Sequence, residues 1–203
     1  LSIVVTIPVF MWLCGCNSSN NSIDNESKEI KIGVTVYKES DLFISTIVEN
    51  LEKIAKGVEE KDSYKISLNV VDSNGSTINE ANEVDKFIKQ KYDVICVNLV
   101  DRTAASIIID KAKAADIPII FFNREPVEED MQRWSKIFYV GTKTEQSGEM
   151  QADIILDAYR KDNSIVDKNN DGKIQYVILE GEAGHQDTSI RTEYCIKTLV
   201  KNG

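Results

Sequence analysis

Apolar residues recur with two different periods along the chain, and these periods predict strands that alternate with helices. Short apolar runs rich in Ile and Val, such as IKIGVTVY and YDVICVNLV, are typical of strands buried on both faces. The segments between them carry apolar residues at helical spacing, and Asp101 is placed to cap the third helix. The predicted strands cover 30–37, 64–73, 92–100, 117–123 and 137–142, and the predicted helices cover 41–60, 79–91 and 102–116.

The first predicted helix shows the helical spacing most clearly. Its apolar residues recur at intervals of three and four, which predicts that one stripe of the helix packs on the sheet. Strands joined through helices by short loops predict a parallel, doubly wound sheet. The predicted stripe consists of Phe43, Ile47, Val48, Leu51, Ile54, Ala55 and Val58.

Beyond this sheet the alternation begins again. An acidic segment interrupts the pattern, and a helix at 145–162, a strand at 173–181 and a helix at 187–203 are predicted after it. One strand and two helices are too few to cover both faces of a sheet, so the chain is expected to hold only the start of a second domain. The predicted fold class is α/β, with two doubly wound parallel-sheet domains at 30–138 and 139–203, the second incomplete.

The N-terminal segment differs from the rest because residues 1–16 carry no charge. Its apolar run ends at Leu13, which is too short for the roughly 20 residues of a membrane span but fits the core of a secretory signal. The run ends in Leu-Cys-Gly-Cys, which resembles a bacterial lipobox and implies lipidation at Cys16. The alternative is an apolar segment with two chance cysteines. The Asn- and Ser-rich tract at 17–29 then predicts a flexible tether.

Charge and cysteine content narrow the choice of partners. The chain has 24 Lys and Arg residues against 33 Asp and Glu residues, a net charge of −9. This balance argues against a nucleic-acid partner, which needs a basic surface to displace counterions. Two of the four cysteines, Cys14 and Cys16, belong to the predicted signal. The other two, Cys96 and Cys195, lie in apolar patterns and are expected to be buried thiols without a disulfide.

Polar side chains of mixed chemistry follow the predicted strands. Because ligands of open parallel α/β sheets bind beyond the carboxyl ends of the strands, these side chains are expected to share one cleft. Carboxylate, amide, imidazole and guanidinium groups beside an aromatic ring suit a sugar, whose hydroxyls donate and accept and whose C–H face packs on a ring. The candidates are Asp41 and Phe43 after the first strand, Asn123 after the fourth, and His185, Asp187 and Arg191 after the strand of the second unit.

Each candidate also has a purely structural interpretation. Either aspartate could cap the helix that it precedes, and Phe43 could be a core residue. Asn123 could be a turn residue at the end of a strand. His185, the single histidine, could lie on the surface, act as a general base or bind a metal, and Arg191 could be a solvated helix charge. The shared position at strand carboxyl ends is what favours a common site.

The segment VDKNNDGKIQ, at 166–175, has the spacing of a calcium-binding loop. Calcium takes roughly 6–8 oxygen ligands, and this loop supplies about five or six of them. Position 12 of the aligned loop is Ile178, where an EF-hand has a bidentate Glu, so a true EF-hand is excluded. The alternative is a polar turn without a metal. The predicted ligands are Asp167, Asn169, Asp171, Lys173 through its carbonyl, and Gln175.

Several segments, in order and at matching spacing, resemble the periplasmic galactose/glucose-binding proteins. The resemblance covers residues 31–203 and implies the type I periplasmic-binding-protein fold, in which two α/β domains close on a sugar. It implies that all six candidates contact D-galactose or D-glucose, with Phe43 stacked on one face. It also implies that a distant Glu completes a structural Ca²⁺ site. The segments are IGVTVYKESDLF, VNLVDRTAA, IPIIFFNREP, YVGTKTEQSG and DKNNDGKIQYVILEGEAGHQDTSIRT.

The resemblance further implies transport and chemotaxis rather than catalysis. The implied protein is a substrate-binding lipoprotein outside the cytoplasm, attached to the membrane by its lipid, that hands its sugar to an ABC transporter permease. A chemoreceptor is a second implied partner. A receptor for another sugar such as ribose is the nearest alternative, although those members lack the calcium loop. A hydrolase with His185 and Asp187 as an acid–base pair is the alternative from a different class, but no nucleophile is found for it.

Overall fold

The structure, a computed structural model, describes residues 28–62, 64–182 and 185–202. Five strands form one sheet in the order β2-β1-β3-β4-β5, and every neighbouring pair is parallel. The predicted α/β class with a parallel, doubly wound sheet is confirmed. The strands are β1 (Lys28–Val36), β2 (Tyr64–Asp72), β3 (Val94–Val97), β4 (Ile119–Phe122) and β5 (Ile137–Val140); the helices are α1 (Leu42–Glu59), α2 (Thr77–Lys89), α3 (Ala105–Ala114), α4 (Glu128–Met131), α5 (Thr144–Lys161) and α6 (Gln186–Asn202).

The chain reverses its winding direction at β1. It passes through α1 to the edge strand β2 and then returns through α2 to β3, on the other side of β1. The carboxyl ends of β1 and β3 therefore lie side by side at a topological switch point, where open α/β sheets form a crevice. Tyr37 follows β1 at this edge and Asn98 follows β3, with the Asn98 N–H donating to the carbonyl of Thr35 at 2.9 Å.

Helices pack on both faces of the sheet, because strand side chains alternate between the faces and each face carries apolar residues. On one face Ile95 and Phe121 belong to a buried apolar cluster that includes Phe87 of α2 and Ile109 of α3. On the other face Val36 belongs to a smaller cluster with residues of α1. The strands and the helices on each side of the sheet thus share two buried apolar clusters.

The buried stripe of α1 is narrower than the sequence predicts, and Phe43 is not part of it. Ile44 is 1% exposed and packs on the sheet together with Ile47 and Val48. Phe43 is 62% exposed and Ile54 63% exposed. A stripe with spacings of three and four spreads over roughly 100° of the helix, and only its centre faces the sheet. The core interpretation of Phe43 is therefore wrong, and its ring is available at the sheet edge.

Helices α5 and α6 pack against each other in the second unit. Gly148 of α5 makes the close approach possible, because a Cβ at this position would lie 2.5 Å from the carbonyl oxygen of Arg191 in α6. Both helices form where the sequence predicts them. Their shared buried cluster consists of Ala152, Leu156, Cys195 and Leu199.

The strand predicted at 173–181 is wrong, because this segment has no ladder hydrogen bonding in the structure. Val177 is 87% exposed and Leu179 is 94% exposed. A strand forms only when a neighbouring strand supplies partners for its N–H and carbonyl groups. All five strands of the described residues belong to the first sheet, so the segment has no such neighbour there.

The two described cysteines agree with the prediction of unpaired thiols. Cys195 is buried, Cys96 is half-buried, and neither forms a disulfide within the described residues. Burial raises the pKa of the Cys96 thiol to about 11. None of the described helices is both long and apolar enough to cross a bilayer. The predicted lipid signal with Cys16 lies outside the described residues, as does the tether up to residue 27, and both stay predictions.

Candidate functional site

A cleft of about 870 Å³ runs along the α1 face of the sheet and reaches the carboxyl edge and the start of α6. Five of the six predicted sugar-contact residues line it, although they come from distant parts of the chain. Its remaining wall is mostly apolar and includes Ile47, Ile120 and Phe122. The predicted residues on the cleft are Phe43, Asn123, His185, Asp187 and Arg191.

Asp41, the sixth predicted contact, is the N-cap of α1 and does not line the cleft. Its carboxylate accepts hydrogen bonds from the N–H groups of Phe43 at 2.9 Å and Ile44 at 3.0 Å, and from the Tyr37 hydroxyl. The hydrogen bond from Tyr37, followed by that from Ile44, lowers the pKa of Asp41. Burial, with Asp41 beside it, raises the pKa of Tyr37 to about 12. The cap fixes the start of α1 and so the position of Phe43.

Asn123 ends β4 in a left-handed conformation, with φ of 63°. Its backbone is fully engaged with the neighbouring strand, since its N–H donates to the carbonyl of Val140 at 3.1 Å and its carbonyl accepts from the Tyr139 hydroxyl at 3.2 Å. Asn tolerates this conformation better than most residues because its short polar side chain can bond locally. The turn interpretation of Asn123 and its place on the cleft are thus compatible.

His185 is oriented by the first turn of α6. Its Nδ1 accepts a hydrogen bond from the Asp187 N–H at 3.2 Å. In a neutral imidazole one ring nitrogen accepts and the other carries the proton, so this bond places the proton on Nε2. The free edge of the ring therefore offers a donor to whatever enters the cleft.

Asp187 and Arg191 are tied together on one side of α6. Asp187 Oδ1 accepts from the hydroxyl of Thr144, at the start of α5, at 2.8 Å. Arg191 Nη2 lies 3.9 Å from Asp187 Oδ2, one helical turn away. The side chain of Arg191 is 40% exposed, and its buried Nε has no partner among the described residues. Thr144 therefore anchors Asp187, and Asp187 directs Arg191 along the cleft wall.

Arg124 is a functional candidate that the sequence reasoning did not single out. Its guanidinium carbon lies 3.9 Å from the centroid of the Tyr37 ring, which is a cation–π contact. Its Nη1 donates to the carbonyls of Leu99 at 3.3 Å and Val100 at 2.9 Å. Its Nη2 reaches to 3.9 Å from the carboxylate of Glu182, in the second unit. The sequence signal was its position directly after Asn123, but its contacts depend on the tertiary fold.

Arg124 also lines a second, smaller cleft of about 610 Å³. This cleft opens at the ends of β2 and β3 and is lined by Asp101 and Arg102. His185 and Asp187 line both clefts, so the two meet at the start of α6. The polar edge of the sheet is therefore continuous from α1 to α3.

The predicted calcium loop folds as a compact turn in which the predicted ligands contact one another. Asp167 is 4% exposed, and its two oxygens accept from the N–H groups of Asp171 at 3.1 Å and Gly172 at 2.9 Å. The carboxylate of Asp171 accepts from the side-chain amides of Asn169 at 2.9 Å and Gln175 at 2.8 Å. A rotation of either amide would present its oxygen instead, so the donor set fits an oxygen-seeking cation.

The predicted calcium loop has only two carboxylates among its predicted ligands, Asp167 and Asp171. Among the residues that the structure describes, no group of three or more His, Cys, Asp or Glu side chains is placed to hold a metal ion. The loop contributes two carboxylates, two amides and the Lys173 carbonyl, and a further oxygen ligand from elsewhere stays a prediction.

The architecture, a parallel α/β domain with a cleft against a second unit, is that of the type I periplasmic binding proteins. Residues 32–203 match the family model described as a periplasmic binding protein domain, and the chain belongs to this family. MglB of Haemophilus influenzae, a D-galactose/methyl-galactoside binding periplasmic protein, is 36% identical over 200 residues, which are 98% of this chain and 57% of that protein. The family resemblance inferred from the sequence is confirmed.

More distant relatives share the fold. The ribose import binding protein RbsB of Bacillus subtilis is 24% identical over 171 residues, 79% of this chain and 50% of that protein. A solved structure from Mycobacterium smegmatis in complex with β-D-fucofuranose has a TM-score of 0.67 at 21% identity, and covers 85% of this chain and 52% of that chain. The chain spans about half the length of the curated relatives it matches. These two relatives are named as binding proteins and not as enzymes, in line with the prediction of binding without catalysis.

Proposed function

We propose that this chain is the ligand-binding part of a sugar importer and that it holds D-galactose or D-glucose in the larger cleft. The carrying observation is that Phe43, Asn123, His185, Asp187 and Arg191, chosen for their sugar-binding chemistry, line one cleft. The 36% identity to a D-galactose/methyl-galactoside binding protein supports a hexose of this type.

The geometry supports several of the contacts that we propose for a hexose. The exposed ring of Phe43 offers an apolar surface to the C–H face of the sugar. The Asn123 amide, the guanidinium of Arg191 and the Nε2–H of His185 offer donors to its hydroxyls. Asp187 offers an acceptor whose direction is set by Thr144. Asp41 remains a proposed contact, because a carboxylate oxygen can accept more than one hydrogen bond.

The same geometry does not favour the hydrolase. The contact between His185 and Asp187 uses the backbone N–H of Asp187, not its carboxylate. That carboxylate is held by Thr144 and lies beside Arg191, so it is not arranged to move a proton to or from the imidazole. The activity proposed is therefore closure of the cleft around the sugar, with no bond broken.

The setting and partners are proposed from the sequence and the family. Lipidation at Cys16 would attach the protein to the outer side of a membrane, and the tether at 17–29 would let it reach an ABC transporter permease. A chemoreceptor is a second proposed partner. The calcium loop is proposed to hold Ca²⁺ through Asp167, Asn169, Asp171, Lys173 and Gln175, where the ion would fix the shape of the loop.

Isothermal titration of the full-length protein with D-galactose, D-glucose and D-ribose tests the proposed function. We expect saturable heat with galactose or glucose at one sugar per protein, and weaker binding of ribose. Heat with ribose alone would support the alternative receptor for that sugar. Absence of heat with all three sugars would overturn the assignment.

A further inference from the structure

Glu80 is a buried carboxyl that the proposed sugar contacts do not use. It lies on α2, is 2% exposed, and accepts a hydrogen bond from the Val100 N–H at 3.0 Å. Burial of a carboxyl group away from water costs free energy unless hydrogen bonds compensate for the lost hydration. Among the described residues, the Glu80 side chain has one hydrogen-bond partner, the Val100 N–H in the loop after β3.

Both backbone polar groups of Val100 form hydrogen bonds with side chains. Its N–H donates to Glu80, and its carbonyl accepts from Nη1 of Arg124 at 2.9 Å. The loop continues into Asp101 and Arg102, which line the smaller cleft together with Val100. The carboxyl group of Glu80 and the guanidinium of Arg124 therefore fix the position of the loop at Val100.

Arg124 also contacts residues next to the proposed sugar site. Its guanidinium stacks on Tyr37, whose hydroxyl donates to Asp41. It directly follows Asn123 in the chain, and it reaches toward Glu182 in the second unit. A chain of contacts therefore links Glu80, through Val100 and Arg124, to the ends of β1 and β4, which carry proposed sugar contacts.

The charge of Glu80 is poised to change near neutral pH. Burial raises the pKa of Glu80 to about 7, against the hydrogen bond from Val100 and the positive charge of Arg124, and with the negative charge of Asp101. The other acidic groups of α2 are engaged elsewhere, since Glu83 pairs with Lys86 and Asp85 with Lys111 of α3.

We propose that Glu80 is a positioning residue of the cleft, which holds the Val100 loop and Arg124 in the sugar-binding arrangement when ionised and holds them less firmly when protonated. This rests on the proposed function. Hydrogen bonds to an ionised group are stronger than those to a neutral one. Affinity for D-galactose is therefore expected to fall by about three-fold between about pH 8 and about pH 6.

Titration calorimetry with D-galactose at several pH values tests this in the full-length protein, in Glu80→Gln and in Glu83→Gln. Glu80→Gln keeps an acceptor oxygen for Val100 but cannot ionise, so it should lose the part of the pH dependence due to Glu80. Glu83→Gln, on the same helix in a surface ion pair, should behave like the natural protein. An unchanged pH profile in Glu80→Gln would overturn the proposal.

A second readout separates this proposal from the sugar assignment. The backbone amide resonance of Val100 should titrate with a midpoint near the pKa of about 7 in the natural protein and should not do so in Glu80→Gln. If no protein binds galactose but this resonance titrates, the sugar assignment fails and the hold of Glu80 on the loop stands. A Val100 resonance that does not respond to pH would overturn the role of Glu80 whatever the sugar result.

Discussion

At the scale of single residues, the cleft depends on side chains whose directions are fixed by local hydrogen bonds. Thr144 holds Asp187, Asp187 lies beside Arg191, and the first turn of α6 orients His185. The residue types and their positions at strand ends could be predicted from the sequence. The contacts of Arg124 could not, because its partners Leu99 and Val100 belong to a different loop that only the folded sheet brings near.

Arg191→Ala should weaken sugar binding strongly. The change removes a guanidinium from the cleft wall, and a lost hydrogen bond to a charged group costs roughly 1.5–3 kcal/mol, or about 10- to 100-fold in affinity. Arg160→Ala is the matched control, since Arg160 is an exposed residue of α5 that pairs with Asp157. Calorimetry with D-galactose measures both variants. Equal affinity of the two would remove Arg191 from the site.

Glu80→Gln should raise stability at neutral and alkaline pH. The pKa of Glu80 is raised in the folded state to about 7 from an ordinary value of 4.5, so the folded state binds more protons than the unfolded state between these values. The contribution of Glu80 to the free energy of unfolding is therefore full below the lower value and lost as the pH rises through the upper one. The variant should gain roughly 1–3 kcal/mol over the natural protein above neutral pH, and little near pH 4.

Denaturant unfolding of both proteins across this pH range measures the difference. A gain that is the same at every pH would show that the charge of Glu80 is not its cause. The combination expected, greater stability with a flatter pH profile of binding, would mark Glu80 as a residue retained for the cleft at some cost to stability.

Among the secondary-structure elements, the periodicity of apolar residues predicts where helices and strands can form. It cannot show whether a predicted strand has a neighbouring strand to pair with. Helices α1, α2, α3, α5 and α6 and the five strands of the first sheet form close to their predicted positions. The strand predicted at 173–181 does not form, because its apolar pattern carries no hydrogen-bond partners by itself. In α1 the spacing of apolar residues predicts a buried stripe, but it cannot show that Ile44 is buried while Phe43 is exposed.

Gly148→Ala should loosen the packing of α5 on α6. The added Cβ would lie 2.5 Å from the carbonyl oxygen of Arg191 and 2.8 Å from Cβ of Tyr194, so the helices must move apart. Overpacking of this kind costs roughly 1–3 kcal/mol. Gly57→Ala in α1 is the control, because no atom apart from its chain neighbours and the nearby backbone of α1 lies within 4 Å of its Cβ position, and Ala is the better helix former.

Thermal unfolding of the two glycine variants gives the comparison. We expect Gly148→Ala to melt below the natural protein and Gly57→Ala to melt at or above it. Because Arg191 lies in the displaced stretch of α6, Gly148→Ala should also weaken galactose binding. A Gly148→Ala protein as stable as the natural one would contradict the close helix approach.

Calcium, if the loop binds it, should stabilise the fold more than it helps sugar binding. A chelator is expected to lower the melting temperature of the full-length protein, and added Ca²⁺ to restore it. Asp171→Asn, which removes one of the two loop carboxylates without changing size, should reduce this response. Asp157→Asn, at a side chain that is 75% exposed, should not. Identical melting curves with chelator and with Ca²⁺ would exclude a calcium site.

At the level of the whole molecule, the fold brings residues that are distant in the chain to one cleft. The winding reversal at β1 places the strand ends of the first sheet side by side, and α6 of the second unit closes over them. The sequence could predict this gathering because the carboxyl ends of parallel strands share one edge. It could not predict that Asp41 is held as a cap behind Phe43, because the hydrogen bond from Tyr37 depends on the course of the loop between them.

We expect one hexose to be held by residues of both units in the larger cleft. A crystal structure of the full-length protein with D-galactose tests it most directly. In that structure we expect the sugar ring against Phe43, with its hydroxyls within hydrogen-bond distance of Asn123, Asp187 and Arg191. A galactose bound elsewhere, or bound in this cleft without contact to these side chains, would contradict it.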